Sequence, residues 1–222
     1  MTSPETIFLL LPELVLILFA TLIYLAGAFF PARVGWSWLA AFAVMLAGGL
    51  LCVQINSADV FKSVFTDAPS FGLKDAGPII IDLFSIGTRG LVLIVGVIFI
   101  LINARSAANT QEPEVMGSLL LILSGLNLLA MSKDLVIAFL GLELVSIPTY
   151  VLLFIGSGHV ERYAAQRQEA ATKYFFLSVL SSAILLYGFS FLYGISGSTD
   201  LHIVFNALKD GPCFFNKFNR LG

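Results

Sequence analysis

The fold class this sequence predicts is all-α: a polytopic membrane helix bundle of about six transmembrane helices. Three observations predict it. Of 222 residues, 58% are hydrophobic and only 12% are charged, where soluble domains carry about a quarter charged residues. The mean hydropathy is +0.95. The apolar residues are also gathered into long unbroken runs rather than spread at amphipathic spacing, and a helix needs about 20 of them in succession to cross a bilayer.

Taken in order, the expected spans are residues 7–30, 36–53, 79–102, 115–131, 135–155 and 170–193. The first lacks a basic leader and is long enough to span, so it reads as a membrane helix rather than a cleavable signal. Only the turn PARVG separates it from the second, and only Ser132, Lys133 and Asp134 separate the fourth from the fifth. Connections that short make each pair antiparallel neighbours. Residues 54–78 hold Asp59, Lys62, Asp67, Lys74 and Asp75 among several Gly and Pro, which reads as an extramembrane loop with a short hairpin. Residues 1–194 therefore form the membrane domain. Residues 195–222 read as a polar tail, truncated or disordered, with no spanning run.

Composition excludes several functions. A net charge of −2 with no basic cluster leaves nothing to neutralise nucleic-acid phosphates. Cys52 and Cys213 supply neither a disulfide framework nor metal spacing. No GxGxxG, CxxC, P-loop or haem-type histidine pair occurs, so this chain is expected to bind no cofactor and to hold no redox site. With the N-terminus outside, the inner loops carry Arg33, Arg105, Arg162 and Arg167, and the outer loops Lys62, Lys74 and Lys133, with Lys209, Lys217 and Arg220 of the tail left out of the count. That count tips slightly toward an outside N-terminus.

Ionisable side chains within the spans carry the functional signal, because a charge at bilayer depth costs several kcal/mol or more unless paired or wetted. Glu143 stands near the centre of SKDLVIAFLGLELVSIPTYVLLFIG, with Ser146 and Tyr150 on its face. Pro148 frees the carbonyl of Leu144 beside that carboxylate. Lys173 lies in the first turns of AATKYFFLSVLSSAILLYGFSFLYG, and either meets Glu143 directly or through water, or snorkels to the interface. Glu143 and Lys173 are the proton-transfer candidates. The bland alternative is a structural Glu143 satisfied by Ser or Tyr hydroxyls. The remaining polar residues take cheaper readings. Glu13, after Pro12, suits a helix start. Asp82 reads as an N-cap, and Arg89 as an interfacial arginine. Ser124, Asn127, Ser178, Ser181 and Ser182 suit close helix packing. His159 reads as a solvated loop residue.

The stretches LVIAFLGLELVSIPTYVL and EAATKYFFLSVLSSAILLYGFSFLYGISGSTDL, with LLPELVLILFATLIYL and IDLFSIGTRGLVLIVG before them, resemble subunit N of NADH–quinone oxidoreductase, respiratory complex I. That subunit belongs to the Mrp antiporter-like membrane proteins, and the resemblance covers about residues 7–202. It implies a partial antiporter-like fold with the N-terminus outside, in a multi-pass protein of the inner (plasma) membrane. It implies proton transport coupled to quinone reduction, with Glu143 as the fifth-helix glutamate that sets the charge of a proton-carrying lysine, and Lys173 as the sixth-helix lysine. Partners implied are the other membrane-arm subunits of complex I, the lipid bilayer and protons; NADH, flavin, iron–sulfur clusters and quinone are expected on other subunits. Family members have about fourteen helices in two inverted repeats, and this chain holds no stretch resembling FKxxxxPFHxW, so it is expected to be a truncated frame or fragment. The alternatives are a non-conducting structural or assembly protein, a fragment of the broader cation/proton antiporter family, or an unrelated six-helix carrier or enzyme.

Overall fold

The computed structural model describes residues 4–29, 35–56, 74–76, 78–105, 112–155 and 164–209, omitting the side chains of 4–6, 74–76, 104–105 and 164. The elements are α1 (Pro4–Phe29), α2 (Trp36–Asn56), β1 (Lys74–Ala76), β2 (Ile79–Ile81), α3 (Leu83–Arg105), α4 (Glu112–Ala130), α5 (Leu135–Ile155), α6 (Ala164–Ser196) and α7 (Leu201–Lys209). The first six helices are each long and apolar enough to cross a membrane. Helices α1 to α4 pack on one another, α5 packs on α4, and α6 packs on α5.

The core lies among the first four helices. Leu16, Ala20 and Ile23 of α1 meet Ala40, Ala43, Val44 and Ala47 of α2, Val92, Leu93 and Ile100 of α3, and Met116, Leu120 and Leu123 of α4. Small residues on α2 let its neighbours approach closely, the usual means of helix packing where lipid is as apolar as the side chains. A second cluster joins Leu9 at the start of α1, Ile79 and Ile81 before α3, and Met131 after α4. The starts of α1 and α3 and the end of α4 therefore share one side of the bundle.

The third span starts later than residue 79. Ile79–Ile81 pairs antiparallel with Lys74–Ala76, in the register Lys74 to Ile81, since a β-branched run fits a pleated edge better than a helix start. Asp82 then caps α3, accepting the Ser85 N–H at 2.6 Å. The sixth span is also longer than residues 170–193. The stretch read as a polar tail contains an ordered turn and the helix α7; residues 210–222, with Cys213, lie outside the described residues.

The α4–α5 turn is the knot that holds this end together. Lys133 N–H donates to Pro78 O at 3.0 Å, and Ile80 N–H donates to Met131 O at 2.9 Å. On the other side, Leu135 N–H donates to Thr199 O and Leu201 N–H to Lys133 O, each at 2.9 Å. Asp134 caps α5 by accepting the Val136 N–H at 2.7 Å and takes the Thr199 hydroxyl on its other oxygen at 2.5 Å. Lys133 reaches Asp200 at 3.3 Å. Gly197, at φ 67°, supplies the left-handed residue that ends α6, which costs glycine nothing.

Candidate functional site

The intramembrane carboxylate Glu143 sits on α5, about 12 Å in from Leu135 at roughly 1.5 Å per residue. It is half-buried and its Oε1 accepts the hydroxyl of Ser182 on α6. Two features set its position. Gly141, half a turn earlier, lets α5 lie against α4 at backbone contact: a Cβ there would stand 3.1 Å from Gly125 O and 3.1 Å from Leu129 N. Pro148 lies inside α5, and one turn beyond Val145 the Thr149 hydroxyl back-bonds Val145 O at 2.7 Å. Farther along the same seam the Tyr150 and Phe175 rings meet edge to face at 5.3 Å. The pairs 143 with 182 and 150 with 175 fix an antiparallel register for α5 and α6.

Lys173 is not brought to Glu143. Its ammonium bonds Glu169 Oε1 at 2.5 Å, one turn earlier on its own helix, and its side chain is 74% exposed. By the rise per residue it stands about 14 Å along α6 from Ser182. Ser146 and Tyr150 share the α5 face of Glu143 in sequence, yet the hydroxyl on its Oε1 is that of Ser182, whose position depends on the α5–α6 register. Ser181 back-bonds Leu177 O at 2.8 Å. Most of α6 presents large apolar side chains outward, Phe176, Leu180, Ile184 and Tyr187 among them. His159 lies outside the described residues.

Two readings from sequence are corrected by burial. Glu13 is not at a helix start, because α1 begins at Pro4. Arg89 is not interfacial. The two form an ion pair at 2.8 Å with side chains only 2% and 1% exposed, in the core of the four-helix unit. The signal that could have found them is depth: each stands six residues into its span, Ile7–Phe29 and Leu83–Asn103.

The matching family model, NADH:quinone oxidoreductase/Mrp antiporter, TM, covers residues 132–220. NADH-quinone oxidoreductase subunit N 1 of Koribacter versatilis is 34% identical over 206 residues, which is 90% of this chain and 38% of that protein. The chain is a relative of NADH–quinone oxidoreductase subunit N. The subunit N of Gemmatimonas aurantiaca is 46% identical over 99 residues, 45% of this chain and 18% of its own length. Among solved structures, respiratory complex I from Thermus thermophilus with bound aureothin contains a chain that matches with a TM-score of 0.62 and 25% identity, covering 86% of this chain and 38% of that one. The chain thus spans about two-fifths of the length of the subunit N proteins it matches over most of its own length, and the partial antiporter-like fold expected from sequence is the fold observed.

Proposed function

We propose that this chain supplies the front, Glu143-bearing segment of a proton-translocating membrane-arm subunit of NADH–quinone oxidoreductase. The observation that carries this reading is the Glu143 carboxylate at membrane depth, held by Ser182 across the α5–α6 seam. A carboxylate there can take or release a proton with little movement of its helix. Its charge in turn sets the field felt by any cation brought to that seam, an interaction far stronger at low dielectric than in water. Lys173 is the candidate proton carrier on α6; to exchange with Glu143 it must leave Glu169 and move inward or use water between them. In this reading the N-terminus faces outside, the protein resides in the inner (plasma) membrane, and the partners are the other membrane-arm subunits. NADH, flavin, iron–sulfur clusters and quinone belong to those other subunits.

The test is Glu143→Gln in the assembled complex, with proton uptake and quinone reduction measured together in membrane vesicles. The expected outcome is fewer protons moved per electron pair with the intrinsic electron-transfer sites intact. An unchanged ratio and unchanged rate refute the role of Glu143.

A further inference from the structure

We infer that the four-helix unit contains an internal water-binding site, built around the Glu13–Arg89 pair and separate from the Glu143 seam. Glu13 Oε1 receives both Arg89 Nε, at 3.1 Å, and Arg89 Nη2, at 2.8 Å. Both guanidinium nitrogens thus converge on one oxygen. Glu13 Oε2 is buried with no protein hydrogen-bond partner, and so are Asn127 Nδ2, Asn127 Oδ1 and Ser85 Oγ. Asn127 and Ser85 are wholly buried. Buried polar atoms are almost always bonded, to protein or to ordered water, and leaving one unmet costs about 1–3 kcal/mol.

These atoms gather at one level of the bundle. Ser85 is one turn before Arg89 on α3. Ser124 donates its hydroxyl to Glu13 O at 3.3 Å, which turns the polar face of α4 toward Glu13, and Asn127 is three residues further along that face. Helical side chains lean toward the N-terminus of their own helix, so Glu13 leans toward the end of α1 where Leu9 meets Met131. That is also the direction in which α4 runs from Ser124 to Asn127. From α2, Gln54 donates to Phe8 O at 2.7 Å, and with Arg89 it lines a cavity of about 10 Å³.

Charge and hydrogen-bonding capacity select the ligand. Among the described residues, the only buried charges are Glu13 and Arg89, and they cancel, so the site calls for a neutral molecule. A buried water needs two to four polar partners. Glu13 Oε2 as acceptor and Asn127 as both donor and acceptor provide them. The water gives the second carboxylate oxygen its hydrogen bond and joins α1 to α4 where the ion pair joins α1 to α3.

Two measurements on the purified chain in lipid test this. A structure from a lipidic mesophase, at a resolution that shows ordered water, is expected to place water within hydrogen-bonding distance of Glu13 Oε2 and of the Asn127 amide. A direct Asn127–Glu13 bond, or no water at either group, overturns the proposal. Infrared difference spectra in H2(18)O against H2(16)O are expected to show a slowly exchanging water O–H band in the parent that is lost in Asn127→Leu. Persistence of that band in the variant overturns it. Should Asn127→Leu not fold, Asn127→Ala is read with the same two outcomes.

Discussion

Cutting the buried pair from one side is the most informative stability experiment. Arg89→Met keeps most of the side-chain volume and strands the Glu13 carboxylate in the core of α1 to α4. Removing one partner of a buried pair costs about 3–5 kcal/mol. The geometry places this pair near the low end, about 3 kcal/mol, because both guanidinium nitrogens share Oε1 instead of gripping the two oxygens. A true fork-to-fork pair is the stronger arrangement. The contact from Arg89 Nη2 to Leu9 O, at 3.5 Å, is too long to add much. Replacing both partners, Glu13→Met with Arg89→Met, removes the stranded charge and is expected to recover most of the loss, since apolar substitutes for buried pairs are often neutral or better. The assay is reversible unfolding of the purified chain in mixed micelles, with the two single variants and the double variant forming a cycle. A single-variant loss under about 1 kcal/mol refutes the claim that Arg89 neutralises Glu13 in the buried core. So does a double variant no more stable than the weaker single.

Three further outcomes are expected. Gly141→Val drives a side chain into Gly125 O and the Leu129 backbone, which cannot retreat as a side chain can; a loss of about 1–3 kcal/mol is expected from overpacking, with Cys cross-linking between α5 and α6 weakened at positions flanking Glu143. Ser182→Ala removes the hydroxyl on Glu143, so proton-pumping stoichiometry in the assembled complex should fall, by less than in Glu143→Gln, while Ser182→Thr retains it. At the α6–α7 turn, burial pushes the Asp200 carboxyl pKa up, but the His202 N–H, the Lys133 ammonium and the Ile203 N–H outweigh it and hold the carboxyl below its ordinary value. A depressed folded pKa contributes stability that is present above the unfolded value of about 3.9 and is lost as pH falls through the folded one; hydrogen exchange at His202 and Ile203 should therefore stay protected at pH about 5 and rise below about 4, and Asp200→Asn should abolish that pH response.

How legible this fold was depends on whether a feature is written along one helix or between two. Apolar runs of spanning length, and turns as short as Ser132–Asp134, are properties of a local stretch, and they located six helices and paired the neighbours. The cap at Asp82 is local too, three residues from the amide it accepts. The start of the third helix was misplaced because Ile79–Ile81 is apolar enough for either a strand or a span, and only its partner Lys74–Ala76 decides.

The site divides along the same line. Glu143 was recognisable because a carboxylate among apolar residues is expensive wherever its neighbours lie. Its partner was not, because Ser146, Tyr150 and Ser182 were all eligible by chemistry and the choice rests on the antiparallel register that also sets Tyr150 against Phe175. Lys173 shows the other side of this: sequence left it open between Glu143 and the interface, and the partner it takes is Glu169, one turn away on the same helix, with its side chain largely exposed. Local i to i+4 pairs need no tertiary structure to form, so they deserve first refusal before a cross-helix pair is drawn. Glu13 and Arg89 reverse that lesson. Neither has an opposite charge within a turn on its own helix, and each stands six residues inside its span, so a cross-helix pair at equal depth was the one arrangement that left no charge facing lipid.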